Sequence, residues 1–389
     1  MKILHLIQTS GPGGAEKLLL TLAKNSKDKY LSIVGLLKNG WLFQQLQNHD
    51  VKVKTIPSGG SFDLKLIKNL VDIIKKEKID LIHSHLLDMN FYSSLAAKIA
   101  GIPHISTEHG DIHHTSKKLD KKTLIKAKTI SHFSDKIVFV SKFTRDKFLK
   151  LSKVPKQKIA IIYNGIDLKE YEQPIDIQRK KAEIGIKNNE FVIGNVANLY
   201  PVKGQIYLLK AAKKVIKEFP NTKFLLIGRG ELEEKLKKEA QNLGIASHVK
   251  LLGFRNDVKE LLKIMDVFVL CSLSEGLPLS LIEAMASKVP VVAAKVGGIP
   301  EAVIHNHSSL LVPPKDPEAL VSTILRILKN SNLAASLAEN AYKRFLKHFT
   351  VKKMVSRYEQ LYLNCYFKKY PCQRDNLCFP NLKNSANTP

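Results

Sequence analysis

The chain opens Met1-Lys2-Ile3-Leu4-His5-Leu6-Ile7-Gln8-Thr9-Ser10-Gly11-Pro12-Gly13-Gly14-Ala15-Glu16. A short apolar run that ends in a glycine-rich turn reads as a buried strand, and residues 15–24 continue with helical spacing. Strand, glycine turn and helix, in that order, open a parallel α/β unit. The apolar run is too short for a secretion-signal core and leads into a turn where a cleavage site would be needed. It is therefore read as a first strand, and the chain as cytoplasmic.

The same rhythm continues outward. Strands are predicted at residues 31–36, 51–56, 79–83, 104–107, 136–140 and 159–163, and helices between them at 64–76 and 90–100. Asn164-Gly165 marks a turn, the stretch 167–189 is polar, and the alternation restarts at 191–196. Strands follow at 223–227, 249–252, 267–271, 289–293 and 310–312, with helices at 207–219, 232–243, 317–328 and 334–345. The expected fold is α/β: two Rossmann-like doubly wound domains, residues 1–170 and 190–349, joined by a linker at 171–189 and facing a cleft. From residue 364 the periodicity dissolves, and 370–389 is expected to be a disordered tail.

Composition agrees. The 389 residues are 44% hydrophobic, enough for two buried cores and too many for a disordered chain. No stretch approaches the roughly 20 apolar residues of a membrane span. Cys271 lies in an apolar run, while Cys365, Cys372 and Cys378 match no common zinc spacing. The net charge of +27 attracts nucleic acid, anionic lipid or a phosphorylated substrate. Against nucleic acid, the lysines are spread over many helices and no recognition motif is present. Nothing in the pattern fixes an oligomeric state.

Four segments carry chemistry. In the first, Gly13 and Gly14 open a helix, where backbone amides and the helix dipole favour a phosphate. Glu16 replaces the third glycine of the dinucleotide fingerprint, so a tight turn without ligand is the competing reading. The second, His109-Gly110, ends a strand at the cleft edge. His83 and His85 share a face of another strand, but no cysteine or carboxylate joins them at ligand spacing, and no metal is expected. In the third, Lys203 follows the first strand of the second domain, where its charge opposes a helix dipole unless a diphosphate sits there. The fourth runs Glu275-Gly276-Leu277-Pro278-Leu279-Ser280-Leu281-Ile282-Glu283-Ala284-Met285-Ala286. Glu283 is a carboxylate on an otherwise apolar helix, costly to bury without partners, and ligand hydroxyls would serve.

This last segment, followed by Gly297-Gly298-Ile299-Pro300-Glu301, resembles the signature of the retaining GT-B glycosyltransferases of family 4, also called group 1. Glu275 and Glu283 match the family's E-x7-E element. Supporting matches occur in the family's order: the Gly13–Glu16 turn, His109-Gly110, Val140-Ser141-Lys142, Tyr163-Asn164-Gly165-Ile166-Asp167, Lys203-Gly204 and Leu311-Val312-Pro313-Pro314. The resemblance implies a nucleoside-diphosphate sugar bound by the second domain, an acceptor facing the first, and neither cofactor nor metal. It implies that Glu283 holds the donor ribose, Glu275 contacts the sugar and Lys203 binds the diphosphate. It places the backbone of Gly276, Leu277, Pro278 and Leu279 against sugar and phosphate, has Gly13, Gly14 and His109 close the site, and sends a helix at 350–369 back to the first domain. Asn198 stands where the family carries arginine, and Arg229 where it carries an acid. Arg229 is expected to substitute for the missing arginine at the diphosphate.

The function expected is retaining transfer of a sugar to a glycan, a lipid-linked saccharide or a lipopolysaccharide precursor. The competing readings are a sugar-nucleotide epimerase, a nucleic-acid binder and a non-catalytic nucleotide-sugar-binding scaffold. Residues 117–132 interleave Lys117, Lys118, Lys121, Lys122, Lys126 and Lys128 with Leu119, Leu124, Ile125 and Ile130. That mixture is expected to lie on the anionic inner face of the plasma membrane.

Overall fold

A computed structural model describes residues 1–25, 30–59, 63–110 and 120–371. The first domain alternates strands β1 (Lys2–Ile7), β2 (Leu31–Leu36), β3 (Lys52–Thr55), β4 (Leu81–His85), β5 (His104–Glu108), β6 (Lys136–Phe139) and β7 (Ile159–Ile161) with helices. These are α1 (Gly14–Lys24), α2 (Trp41–Asn48), α3 (Leu64–Glu77), α4 (Leu87–Ala100), α5 (Lys121–Phe133) and α6 (Lys142–Leu149). Among the described residues the strands pair in the order β3-β2-β1-β4-β5-β6-β7, all parallel.

Between the domains the polar stretch carries α7 (Lys169–Glu172) and α8 (Ile177–Glu183). Tyr171, Ile184 and Ile186 join the core of the second domain, so this segment is packed structure, unlike the plain linker expected from its polarity. The second domain comprises β8 (Phe191–Val196), α9 (Gln205–Glu218), β9 (Thr222–Ile227), α10 (Glu233–Asn242), β10 (Val249–Gly253), α11 (Val258–Lys263), β11 (Val267–Leu270), α12 (Leu279–Ala286), β12 (Val291–Ala294), α13 (Ile299–Ala302), β13 (Leu310–Val312), α14 (Pro317–Leu328) and α15 (Ser331–His348). Its sheet order is β10-β9-β8-β11-β12-β13, again parallel. Parallel strands buried on both faces explain the near-continuous apolar runs such as Phe268-Val269-Leu270, each residue fully buried.

The last helix, α16 (Val351–Lys369), returns to the first domain. Its Met354, Val355, Tyr358, Leu361, Tyr362 and Cys365 pack with Ile3, Leu81 and Ile105 of the first sheet. The outward and return crossings lie side by side: Ile166 N donates to Phe349 O at 3.0 Å, and Val351 N to Ile166 O at 2.8 Å. Gly165 makes this approach feasible, since a Cβ there would stand 2.6 Å from Thr350 O.

Helix α5 turns most of its apolar residues inward. Ile130 is fully buried and Leu124 packs against the cluster that holds Phe91 and Phe148, so the apolar side of the helix is spent on the domain's own core. Of the interleaved apolar residues described, Ile125 is exposed, while Lys126 pairs with Asp88 at 2.6 Å. Lys121, Lys122 and Lys128 remain exposed. Lys117, Lys118 and Leu119 lie outside the described residues, as do positions 372–389 of the expected tail. Among the described residues no helix is long and apolar enough to cross a membrane.

Candidate active site

In each sheet the strand order reverses beside the first strand, between β1 and β4 and between β8 and β11. Loops leave the carboxyl ends of such neighbours in opposite directions and open a crevice. The two crevices face one another across a cavity of about 860 Å³ lined by both domains.

The second domain contributes the loops after β8 and β11. Lys203 ends a single turn after β8 and is followed by Gly204 in the left-handed region, at φ 66°. A Cβ at Gly204 would stand 2.3 Å from Cys271 O, so glycine lets the two loops touch. That contact brings Lys203 Nζ within 2.7 Å of Glu275 Oε1, which also accepts a 2.7 Å hydrogen bond from Ser272 Oγ. Gly276 lies against the first domain, where a Cβ would stand 2.0 Å from His109 O. Pro278 caps α12, and residues 276–279 all line the cavity.

Glu283 is the fifth residue of α12 and 4% exposed, with its side chain in the cavity wall. Its carboxylate is not left to a ligand alone. Lys17 Nζ reaches Glu283 Oε1 at 3.0 Å from the opposite domain. The Tyr171 hydroxyl also hydrogen-bonds it, and burial with the Glu283 charge raises that phenol well above its usual range. Sequence reasoning missed both partners. Lys17 follows the glycine turn directly but reads as a solvated helix lysine, and Tyr171 lies in the segment taken for a linker.

The first domain supplies Gly13, Gly14, Glu16 and Lys17 at the start of α1, with His109 and Gly110 after β5. Glu16 folds back over Gly13, where a Cβ would stand 2.3 Å from Glu16 Oε2, placing an acid at the positive end of the helix. His109 Nε2 lies 2.9 Å from His85 Nδ1, and burial lowers the His109 pKa to about 3. The imidazole facing the cavity is therefore neutral and can hydrogen-bond a sugar without adding charge.

Behind it, His5, His83 and His85 hold ring nitrogens within 4.8 Å of one another, a grouping invisible until β1 and β4 pair. His83 already spends both nitrogens, on Tyr362 Oη at 2.7 Å and Thr107 Oγ1 at 2.8 Å, and His85 spends one on His109. This is a hydrogen-bonded core that ties α16 to the cleft.

Asn198 lines the cavity, and its backbone O accepts from Gln205 Nε2 at 3.1 Å. Arg229 is exposed at the rim of the cavity, beside the lining residues Gly228 and Phe254. The backbone of Gly228 and Gly230 presses on Ala197 O and Leu199 O, where a Cβ would stand 2.0 and 2.4 Å away. The Arg229 side chain turns out over the Phe254 ring, with Cζ 5.6 Å from its centroid, towards Gly11 at the mouth of the cleft. Arg255 and Lys259 line the cavity nearby, and Arg255 is held by Asp257 and Glu183.

Comparison with known proteins follows the same division. Residues 12–170 match the family model described as Glycosyltransferase Family 4, and residues 176–344 that described as Glycosyl transferases group 1. The chain is 29% identical over 314 residues to the UDP-Gal:alpha-D-GlcNAc-diphosphoundecaprenol alpha-1,3-galactosyltransferase of Escherichia coli, covering 79% of this chain and 81% of that one. It is 30% identical over 305 residues to the N-acetyl-alpha-D-glucosaminyl L-malate synthase of Bacillus anthracis, covering 77% and 79%. The crystal structure of Anabaena HepE in complex with UDP-glucose superposes with a TM-score of 0.85 at 26% identity, covering 94% of this chain and 100% of that one. WaaG, a glycosyltransferase involved in lipopolysaccharide biosynthesis, shares the fold with a TM-score of 0.74 at 16% identity, covering 91% and 98%.

Proposed function

The chain belongs to the group 1 glycosyltransferases of family 4, with the GT-B fold, and from that premise we propose retaining transfer from a nucleoside-diphosphate sugar to a glycan or lipid-linked saccharide. The observation that carries this reading is the meeting of Lys203, Glu275, Glu283 and the segment 276–279 on one wall of the cleft. Uridine is the proposed base, because HepE was solved with UDP-glucose and the Escherichia coli relative is named for UDP-Gal. That relative's named acceptor is a diphosphoundecaprenol-linked sugar, which favours a lipid-linked acceptor here.

In the proposed step an acceptor hydroxyl attacks the anomeric carbon from the side of the leaving diphosphate. The bond from carbon to diphosphate oxygen breaks, the bond from carbon to acceptor oxygen forms on the same face, and the hydroxyl proton passes to a diphosphate oxygen. Lys203 and the backbone N–H groups of Gly276, Leu277 and Leu279 offset the charge that grows on the leaving group, a role requiring no divalent ion. Glu275 orients the sugar, and Glu283 accepts the ribose hydroxyls once Lys17 shares or yields the carboxylate. Arrival beside an anionic surface is assigned to charge, through Lys121, Lys122 and Lys128.

The test is incubation of purified protein with UDP-glucose, UDP-galactose and UDP-N-acetylglucosamine plus a lipid-linked acceptor, with and without chelator. An α-configured product by nuclear magnetic resonance, formed equally with chelator, is expected. A β-configured product, or a sugar trapped covalently on Glu275, would contradict front-face retention. Binding without turnover of any donor would favour a scaffold.

A further inference from the structure

The cavity wall opposite the donor residues is built by α1 and α2. Trp41 opens α2, Gln45 lies four residues on, and His49 directly follows the helix, so the three share one side of it. All three line the cavity, beside Thr21 and Lys24 of α1. Trp41 packs against the cluster that holds Leu42 and Leu46, yet stays partly open. The Gln45 amide and the His49 imidazole have no hydrogen-bond partner among the described residues. The lysines of this wall are each engaged, Lys24 with Glu170 at 3.1 Å and Lys17 with Glu283 at 3.0 Å.

We infer that this stripe is the acceptor subsite and that it takes an uncharged pyranose unit, an assignment that rests on the transferase reading above. An indole offers a flat apolar surface with a polar edge, matching a sugar ring with an apolar face and a rim of hydroxyls. Gln45 and His49 both donate and accept, as hydroxyls require. A small carboxylate acceptor such as malate would instead need an unpaired cation, and the lysines here are paired.

Trp41 is the single tryptophan in the chain, so its fluorescence reports this subsite directly. Wild-type protein saturated with UDP is titrated with methyl glucoside, methyl galactoside, methyl N-acetylglucosaminide and L-malate. A saturable change in emission with at least one glycoside, and none with malate, is expected. In turnover assays with a saccharide acceptor, Trp41→Ala should raise the acceptor KM at least tenfold while the donor KM moves less than twofold. Trp41→Phe should recover most of that loss. Emission unmoved by every glycoside, a response to malate alone, or an equal loss of donor and acceptor affinity in a folded Trp41→Ala would overturn the assignment. Failure of the transferase reading gives a separate signal, the absence of any thermal stabilisation by the nucleotide sugars.

Discussion

Glu275 and Glu283 stand in the same wall but keep different company, and that difference sets distinct expectations for each. Glu275 is held by Lys203 and Ser272 at the sugar end. Glu275→Gln should therefore lower kcat more than it raises the donor KM, whereas loss of kcat and affinity in equal measure would assign it to binding alone. Lys203→Ala should weaken donor binding at least tenfold and Arg229→Ala less than twofold, because the Arg229 guanidinium lies over Phe254 at the mouth of the cleft whereas Lys203 is held against Glu275. The reverse order in calorimetric titrations would restore Arg229 to the diphosphate. At this scale the sequence was legible where residue type and spacing travel together, as in the two glutamates. It was silent where the partner comes from far along the chain. A carboxylate on an apolar helix signals a missing partner, but nothing local says that one partner is Lys17, 266 positions away.

Elements were more legible than contacts, because a parallel sheet covered on both faces writes its strands as apolar runs. The segments 31–36 and 310–312 coincide with β2 and β13. The stretch between the domains was harder to read, since α7 and α8 are too short to show a helical period and are held by tertiary packing on α11. Helix α5 shows the converse: basic residues interleaved with apolar ones read as a lipid-facing helix, whereas its apolar side packs inward. Attraction to anionic vesicles should then be electrostatic and abolished by high salt. Retention at 1 M salt in flotation assays would show apolar insertion after all. Helix α6 carries another interdomain device. Its Lys142 and Phe143 amides donate to the Glu301 carboxylate at 2.7 and 2.8 Å, and Tyr163 Oη donates to it at 3.2 Å. Glu301→Ala should cost about 1.5–3 kcal/mol of stability, the range for hydrogen bonds to a charged acceptor. An unchanged urea midpoint would show that the domains do not lean on this contact.

Across the whole molecule, α16 ties the second domain to the first through buried tyrosines set on buried histidines. Burial lowers the pKa values of His5, His104 and His109 to about 3 and those of His83 and His85 well below the usual range. Folded pKa values below the unfolded ~6.5 give a contribution fully present above about pH 6.5 and lost as pH falls, by up to ~1.4 kcal/mol per unit and group. Glu108 works the other way. Burial raises it to about 8, so its contribution is lost as pH rises towards that value. Several histidines outweigh one glutamate, and the urea midpoint should drop between pH 7 and pH 5. A flat or rising midpoint would mean the histidines are not held neutral. The claim on which the rest depends is that a nucleotide sugar seats its ribose on Glu283. Calorimetric titration of UDP-glucose into wild type and Glu283→Ala tests it most directly, with urea unfolding of both as the folding control. Roughly tenfold to hundredfold weaker binding by a folded Glu283→Ala protein is expected, the equivalent of about 1.5–3 kcal/mol. Equal affinity in the two proteins would contradict it.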